Sequence, residues 1–115
     1  MRTTARLLLV ALLALASFAP ARAFDLVFTI ENQASFTANQ LSILNSALVH
    51  VEGMWETMIT GYQPGISIAS VPISVFPTTS GLASASFSGS VNQGGFNVTT
   101  SGFMNINTLE IENFA

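Results

Sequence analysis

The chain has 115 residues, 50% of them hydrophobic, a formal net charge of −3 at neutral pH and no cysteine. Its three basic residues, Arg2, Arg6 and Arg22, all precede its six acidic ones, so beyond position 22 no lysine or arginine is left to neutralise a phosphate or an anionic headgroup. This excludes nucleic acid and anionic membrane surfaces as partners, and the absence of thiols excludes disulfides, thiolate ligands and thiol nucleophiles.

Taken in chain order, Arg2 and Arg6 lead into the apolar run LLLVALLALA, and "ARA" at 21–23 offers small residues at the positions a signal peptidase reads. Residues 1–23 are therefore predicted to be a signal peptide cleaved between Ala23 and Phe24. The run is short of the roughly 20 residues a bilayer span requires. The expectation is a secreted, extracellular protein whose residues 24–115 form one small α+β domain, hiding little more than about 60% of its unfolded surface.

"FDLVFTIE" at 24–31 places Phe24, Leu26, Phe28 and Ile30 on one side by alternation, with Asp25, Thr29 and Glu31 mostly on the other, which predicts a strand. "FTANQLSILNSALVHVEGMWETMITGY" at 36–62 predicts an amphipathic helix. Thr37 is its N-cap, Gln40 closes a capping box, and Phe36 and Leu41 form a hydrophobic staple. Leu41, Leu44, Leu48, Val51, Trp55, Met58 and Ile59 form one apolar stripe, with Trp55 as a core anchor and Gly61 as a left-handed C-cap. "GISIASVPISVF" at 65–76 predicts a second strand, with a bulge near Ala69 and Ser70 and with Pro72 at an edge or bulge. Beyond Pro77 the short β-prone pieces "ASASFSG", "GFNVTT" and "FMNINTLEI" are separated by glycine-containing turns. The predicted fold class is α+β: a twisted mixed sheet of about four to five strands in β-α-β-β-β order, with a parallel crossover and the helix packed on one face. One helix covers one face, so Val27 and whichever of the Ile66/Ile68 and Val71/Ile73/Val75 sets shares its side are expected to lack cover.

The groups that carry chemistry are few. His50 is the single histidine, and Glu52, two positions on, faces a different direction on a helix, so the ordinary exposed-histidine reading is preferred to an acid/base couple. Glu52 and Glu56 share a side and could serve as paired carboxylates or a cation site, against the commoner reading of a solvated helix flank. "NVT" makes Asn97 a candidate glycosylation acceptor. Asn105, Asn107, Glu110 and Glu112 offer hard oxygen donors in a spacing that fits no calcium loop.

Three stretches together carry a resemblance: "FTIENQASFTANQLSILNSALVHVEGMWETMITGY", then "ISIAS", then "SGFMNIN". They resemble the upstream half of secreted zincin-type metallopeptidases of the leishmanolysin-like and metzincin-like kind. There the first strand and long helix carry an "A..W...I.G" pattern, placed here in Ala47 to Gly61, where Trp55, Ile59 and Gly61 match and the alanine does not, position 52 being Glu; a glycine-led strand, placed here at Gly102 to Asn107, precedes the zinc-binding helix. The resemblance implies zinc as cofactor and peptide-bond hydrolysis for the family. This chain departs from it decisively, because an HExxH helix needs two histidines and this sequence has one. For this chain the expectation is no catalytic residue, no metal ligand and no cofactor. It is read as a catalytically incomplete relative or fragment whose partner is a missing C-terminal catalytic half. The alternative is a non-enzymatic secreted adhesive or matrix module, self-associating through β-edges of the stretch "TTSGLASASFSGSVNQGGFNVTTSG".

Overall fold

The computed structural model describes residues 24–114, so the predicted signal peptide lies outside the described residues. Strand β1 (Leu26–Ile30) forms where alternation predicts it, with Leu26 and Ile30 buried. Asn32 then takes the left-handed conformation (φ 48°), which a short polar side chain tolerates, and a 3-10 turn (Gln33–Ser35) leads into helix α1 (Ala38–Met58). Its capping box is present in full. Thr37 Oγ1 accepts from Gln40 N–H (3.1 Å), and Gln40 Oε1 accepts from Thr37 N–H (2.9 Å). Gln40 Nε2 also donates to the Thr108 carbonyl (2.9 Å), so the cap fastens the helix to the end of the sheet.

Two expectations for the other end of α1 are corrected. Gly61 is not a C-cap: the helix stops at Met58, Ile59 is extended (φ −92°, ψ 93°), and Gly61 is not among the glycines with positive φ. Trp55 is not a core anchor, being 44% exposed, and Met58 is 57% exposed. The reason is orientation. In the last turns Glu52, Glu56 and Ile59 are half-buried, and Glu56 reaches Leu26 N–H of β1 (3.3 Å), so the helix turns that flank to the strand and Trp55 and Met58 point beside it.

The sheet has four strands in the order β1-β2-β4-β3, where β2 is Val71–Thr78, β3 Ala83–Gln93 and β4 Phe96–Asn107. The neighbours β1 and β2 are parallel, as are β2 and β4, while β3 is antiparallel to β4. This is the predicted α+β class and element order. The second strand begins at Val71, later than expected and without a bulge at Ala69 and Ser70. Gly65 turns with φ 88°, and both backbone groups of Ser67 are taken by the Gln93 side chain (2.9 and 3.2 Å), which leaves Ile66 and Ile68 in an irregular segment.

Pro72 sits in an inner strand at a position where its missing N–H costs nothing. Val71 N–H donates to the Asp25 carbonyl (2.8 Å) and Glu31 N–H to the Val75 carbonyl (2.9 Å). Odd-numbered residues of β2 therefore address β1, and even-numbered ones address β4. Pro72 addresses β4 just before that pairing starts at Ile73, and Pro77 addresses β1 beyond Val75, where that pairing has ended.

The predicted pieces "GFNVTT" and "FMNINTLEI" merge into the single strand β4 as far as Asn107, while "TLEI" leaves the sheet for a turn and a 3-10 helix (Ile111–Phe114). The turn lies earlier, at Gly94 and Gly95 (φ 57° and 83°), between the paired Gln93 and Phe96. Two central residues with positive φ make a type I′ hairpin. Gly102 is a packing position within the strand, where a Cβ would lie 3.1 Å from the Ser86 carbonyl oxygen.

Register sets the core. Ile30, Val75 and Met104 are neighbours across β1, β2 and β4. The buried cluster is Ile30, Phe36, Leu44, Leu48, Val75 and Ile111, with Val75 at 0% exposure. Val71, Ile73 and Val75 thus share the helix side with Leu26, Phe28 and Ile30, and Val27 (42% exposed) lies on the opposite face. Among the described residues, no helix is long and apolar enough to cross a membrane.

Candidate functional site

The crossover from β1 to β2 runs α1 back along the sheet, which brings the last turns of the helix to the first residues of β1. Glu52 and Glu56, one turn apart on α1, meet Asp25 there. One carboxylate oxygen of each lies within 4.8 Å of the others, and all three side chains are half-buried. Leu26 N–H, on the open edge of β1, donates to Glu56 Oε1 (3.3 Å). The donor set is all oxygen, suited to a hard cation of the calcium or magnesium type. Three carboxylates supply only part of the roughly six to eight oxygens that calcium takes. They do not fit zinc of the peptidase kind, for which imidazole is the defining ligand. The pair Glu52/Glu56 is legible in the sequence from its spacing. Asp25 joins only through the crossover, and its position at the start of a strand that precedes an antiparallel-running helix is the signal that could have found it.

The other candidates are dispersed. His50 is exposed on the far side of α1, beside Val49, Gly53 and Met54, and is not brought to Glu52. Asn97 is exposed on β4 opposite Asn92, next to the hairpin turn, so the sequon is accessible. Asn105, Asn107, Glu110 and Glu112 do not converge on a common point, because each has a local structural partner. Asn105 Nδ2 donates to Ser84 Oγ (3.1 Å), and Asn107 Nδ2 to the Gly81 carbonyl (2.6 Å). Asn107 Oδ1 accepts from Leu109 N–H (3.0 Å). Glu110 accepts from Asn113 (2.9 Å), and Glu112 from Asn39 (2.9 Å). They turn the chain at the end of β4 and fasten it to α1.

Two features were not anticipated from the sequence. An apolar groove of about 220 Å³ runs on the helix side between α1 and the β3 side of the sheet, lined by Ile43, Leu44, Ala47, Leu82, Ala83 and Ile106 among others. The hydroxyl of Tyr62 is shielded from solvent without a hydrogen-bond partner. Its ring meets Phe24 edge to face (centroids 6.3 Å apart, 70°), and desolvation raises its pKa above the ordinary tyrosine value.

No protein-family model matches this chain, and neither a curated protein nor a solved structure matches it significantly.

Proposed function

We propose that the chain is the upstream subdomain of a secreted zinc-dependent metallopeptidase of the zincin type, leishmanolysin-like or metzincin-like, and is catalytically incomplete by itself. The observation that carries this reading is the position of the glycine-led strand. Gly102 to Asn107 is an inner stretch of the sheet, parallel to β2, with β3 as its antiparallel outer neighbour. At Gly102 a Cβ would lie 3.1 Å from the Ser86 carbonyl oxygen, a tight contact. A first strand, a long capped helix laid on one face of the sheet and a late glycine-led strand are the elements on which the resemblance rests, and here they form one sheet. Residues 24–115 contribute scaffold. Zinc, where a downstream HExxH helix supplies its ligands, would polarise the scissile carbonyl and activate water, and no residue of this chain takes part in that step.

The experiment that tests the reading is to sequence the gene past the codon for Ala115. An in-frame HExxH within a few tens of codons is expected. An immediate stop with no such motif downstream refutes the proposal and leaves a self-sufficient module.

A further inference from the structure

The two edges of the sheet are protected unequally. On β1, the backbone groups of Leu26, Phe28 and Ile30 point away from β2, and two of them are already engaged. Leu26 N–H donates to Glu56 Oε1 (3.3 Å), and the Ile30 carbonyl accepts from Gln33 Nε2 (3.3 Å). A second copy added antiparallel about a twofold axis at Phe28 would also set Asp25 opposite Glu31 of that copy, and like charges directly opposed repel. These are the devices by which an edge strand is kept from pairing.

On β3 they are fewer between Ala83 and Phe87. Ala83–Gln93 contains no charged residue and no proline. Asn107 N–H donates to the Leu82 carbonyl (3.0 Å), which, with Ala83 paired to Ile106, directs the backbone groups of Ala83, Ala85 and Phe87 away from β4. Among the described residues no strand pairs with that side of β3; the Ser86 hydroxyl reaches the Phe87 carbonyl at 3.4 Å. The register breaks beyond Phe87, so Ala83 to Phe87 is the continuous open stretch, and Ala85 is its midpoint.

We infer that this stretch is a docking edge for a second copy of the chain, added antiparallel about a twofold axis at Ala85. The axis sets Ala85 opposite its own counterpart and Ala83 opposite Phe87, closing about six backbone hydrogen bonds between the copies. Phe87 is 67% exposed and lies on the helix side with Ala83 and Ala85. Pairing brings its ring beside Ala83 and Leu82 of the other copy, at the open side of the apolar groove of about 220 Å³. Each copy supplies one aromatic and one groove, as an isologous interface requires. The alanines and serines of β3 keep side-chain bulk away from the axis.

Charge favours the same edge. Asp25, Glu31, Glu52 and Glu56 belong to β1, its flanks and α1, at the far edge of the sheet. Glu110, on the groove wall, accepts from Asn113 (2.9 Å). Two acid-rich molecules thus meet through a neutral strand. The inference does not rest on the peptidase relationship.

The test is sedimentation equilibrium of the protein expressed from the full sequence and purified after export. A reversible monomer–dimer equilibrium is expected. Ala85→Lys, which opposes two like charges on the axis, and Phe87→Ser are each expected to weaken association at least about tenfold. Val49→Ser, at a residue 68% exposed on α1, is expected to leave it unchanged. The chain has no cysteine, so Ala85→Cys is a second, independent probe. Opposed Cα atoms of a hydrogen-bonded pair lie about 5.5 Å apart, within disulfide range, and this variant is expected to oxidise to a covalent dimer while Ser84→Cys, off the axis, does not. A monomer at every concentration overturns the inference. So does a dimer indifferent to both β3 substitutions, or cross-linking by Ser84→Cys as readily as by Ala85→Cys.

Discussion

Val75→Ala perturbs the residue on which the packing converges. Val75 has 0% exposure, lies in register between Ile30 and Met104, and shares a buried cluster with Leu44 and Leu48 of α1. Removing two buried methyl-sized groups forfeits about 1.6 kcal/mol of transfer free energy, at about 0.8 each. A residual cavity of roughly 50 Å³ adds about 1.2 kcal/mol if its walls do not collapse. The expected loss is about 2–3 kcal/mol, a large share of the roughly 5–15 kcal/mol that a small domain has, and it corresponds to a fall in Tm of about 10–20 °C. Urea melts followed by Trp55 fluorescence, with thermal melts by circular dichroism, measure it. The midpoint should move and the slope should not, because the area exposed on unfolding barely changes. A loss below about 0.5 kcal/mol would refute the placement of Val75 at the centre of a single core.

The same melts check the remaining stability predictions. Trp55→Ala should cost about 1–2 kcal/mol, against the 3–5 kcal/mol of an enclosed aromatic, because the side chain is 44% exposed; a cost near 4 kcal/mol would return Trp55 to the core. Thr37→Ala, which removes the acceptor for Gln40 N–H, should cost about 1 kcal/mol, and Thr37→Asp should recover most of it. Tyr62 is the single tyrosine, and desolvation raises its pKa. The folded state therefore holds the phenolic proton more tightly than the unfolded state does. Its contribution to stability is fully present below about pH 10 and is lost as pH rises through the folded pKa. Tyrosinate absorbance should titrate higher in the folded protein than in urea, and Tyr62→Phe should abolish the alkaline loss without destabilising at neutral pH, since the hydroxyl has no partner to lose. Equal titration midpoints in the two states would contradict this.

Much of the fold is legible in the sequence because its signals are local. The alternation of Leu26, Phe28 and Ile30 needs only neighbouring residues to be read, as do the Thr37/Gln40 box and the 3/4 spacing of Leu41, Leu44 and Leu48. What could not be read depends on where elements end against one another. Trp55 continues the stripe faultlessly, yet at its level the flank that meets β1 is the one carrying Glu52 and Glu56. Ile66 and Ile68 look like strand residues, yet the Gln93 side chain claims Ser67 between them. Gly102 looks like a turn, yet it lies within β4, where a Cβ would be 3.1 Å from the Ser86 carbonyl oxygen. Of the acidic cluster, the sequence displays Glu52 and Glu56, while Asp25 arrives through a contact across roughly thirty residues of crossover, which no local period encodes.

The peptidase proposal is tested most directly by measuring zinc bound at equilibrium dialysis, together with peptide cleavage, for two proteins: the chain of 115 residues and the same chain continued through its downstream reading frame. With one histidine and an all-oxygen acidic cluster, the short chain is expected to hold no zinc at micromolar concentration and to cleave nothing. The extended chain is expected to hold one zinc and to show chelator-sensitive cleavage. Chelator-sensitive proteolysis by the short chain, or an extended chain that neither binds zinc nor cleaves, would contradict the account.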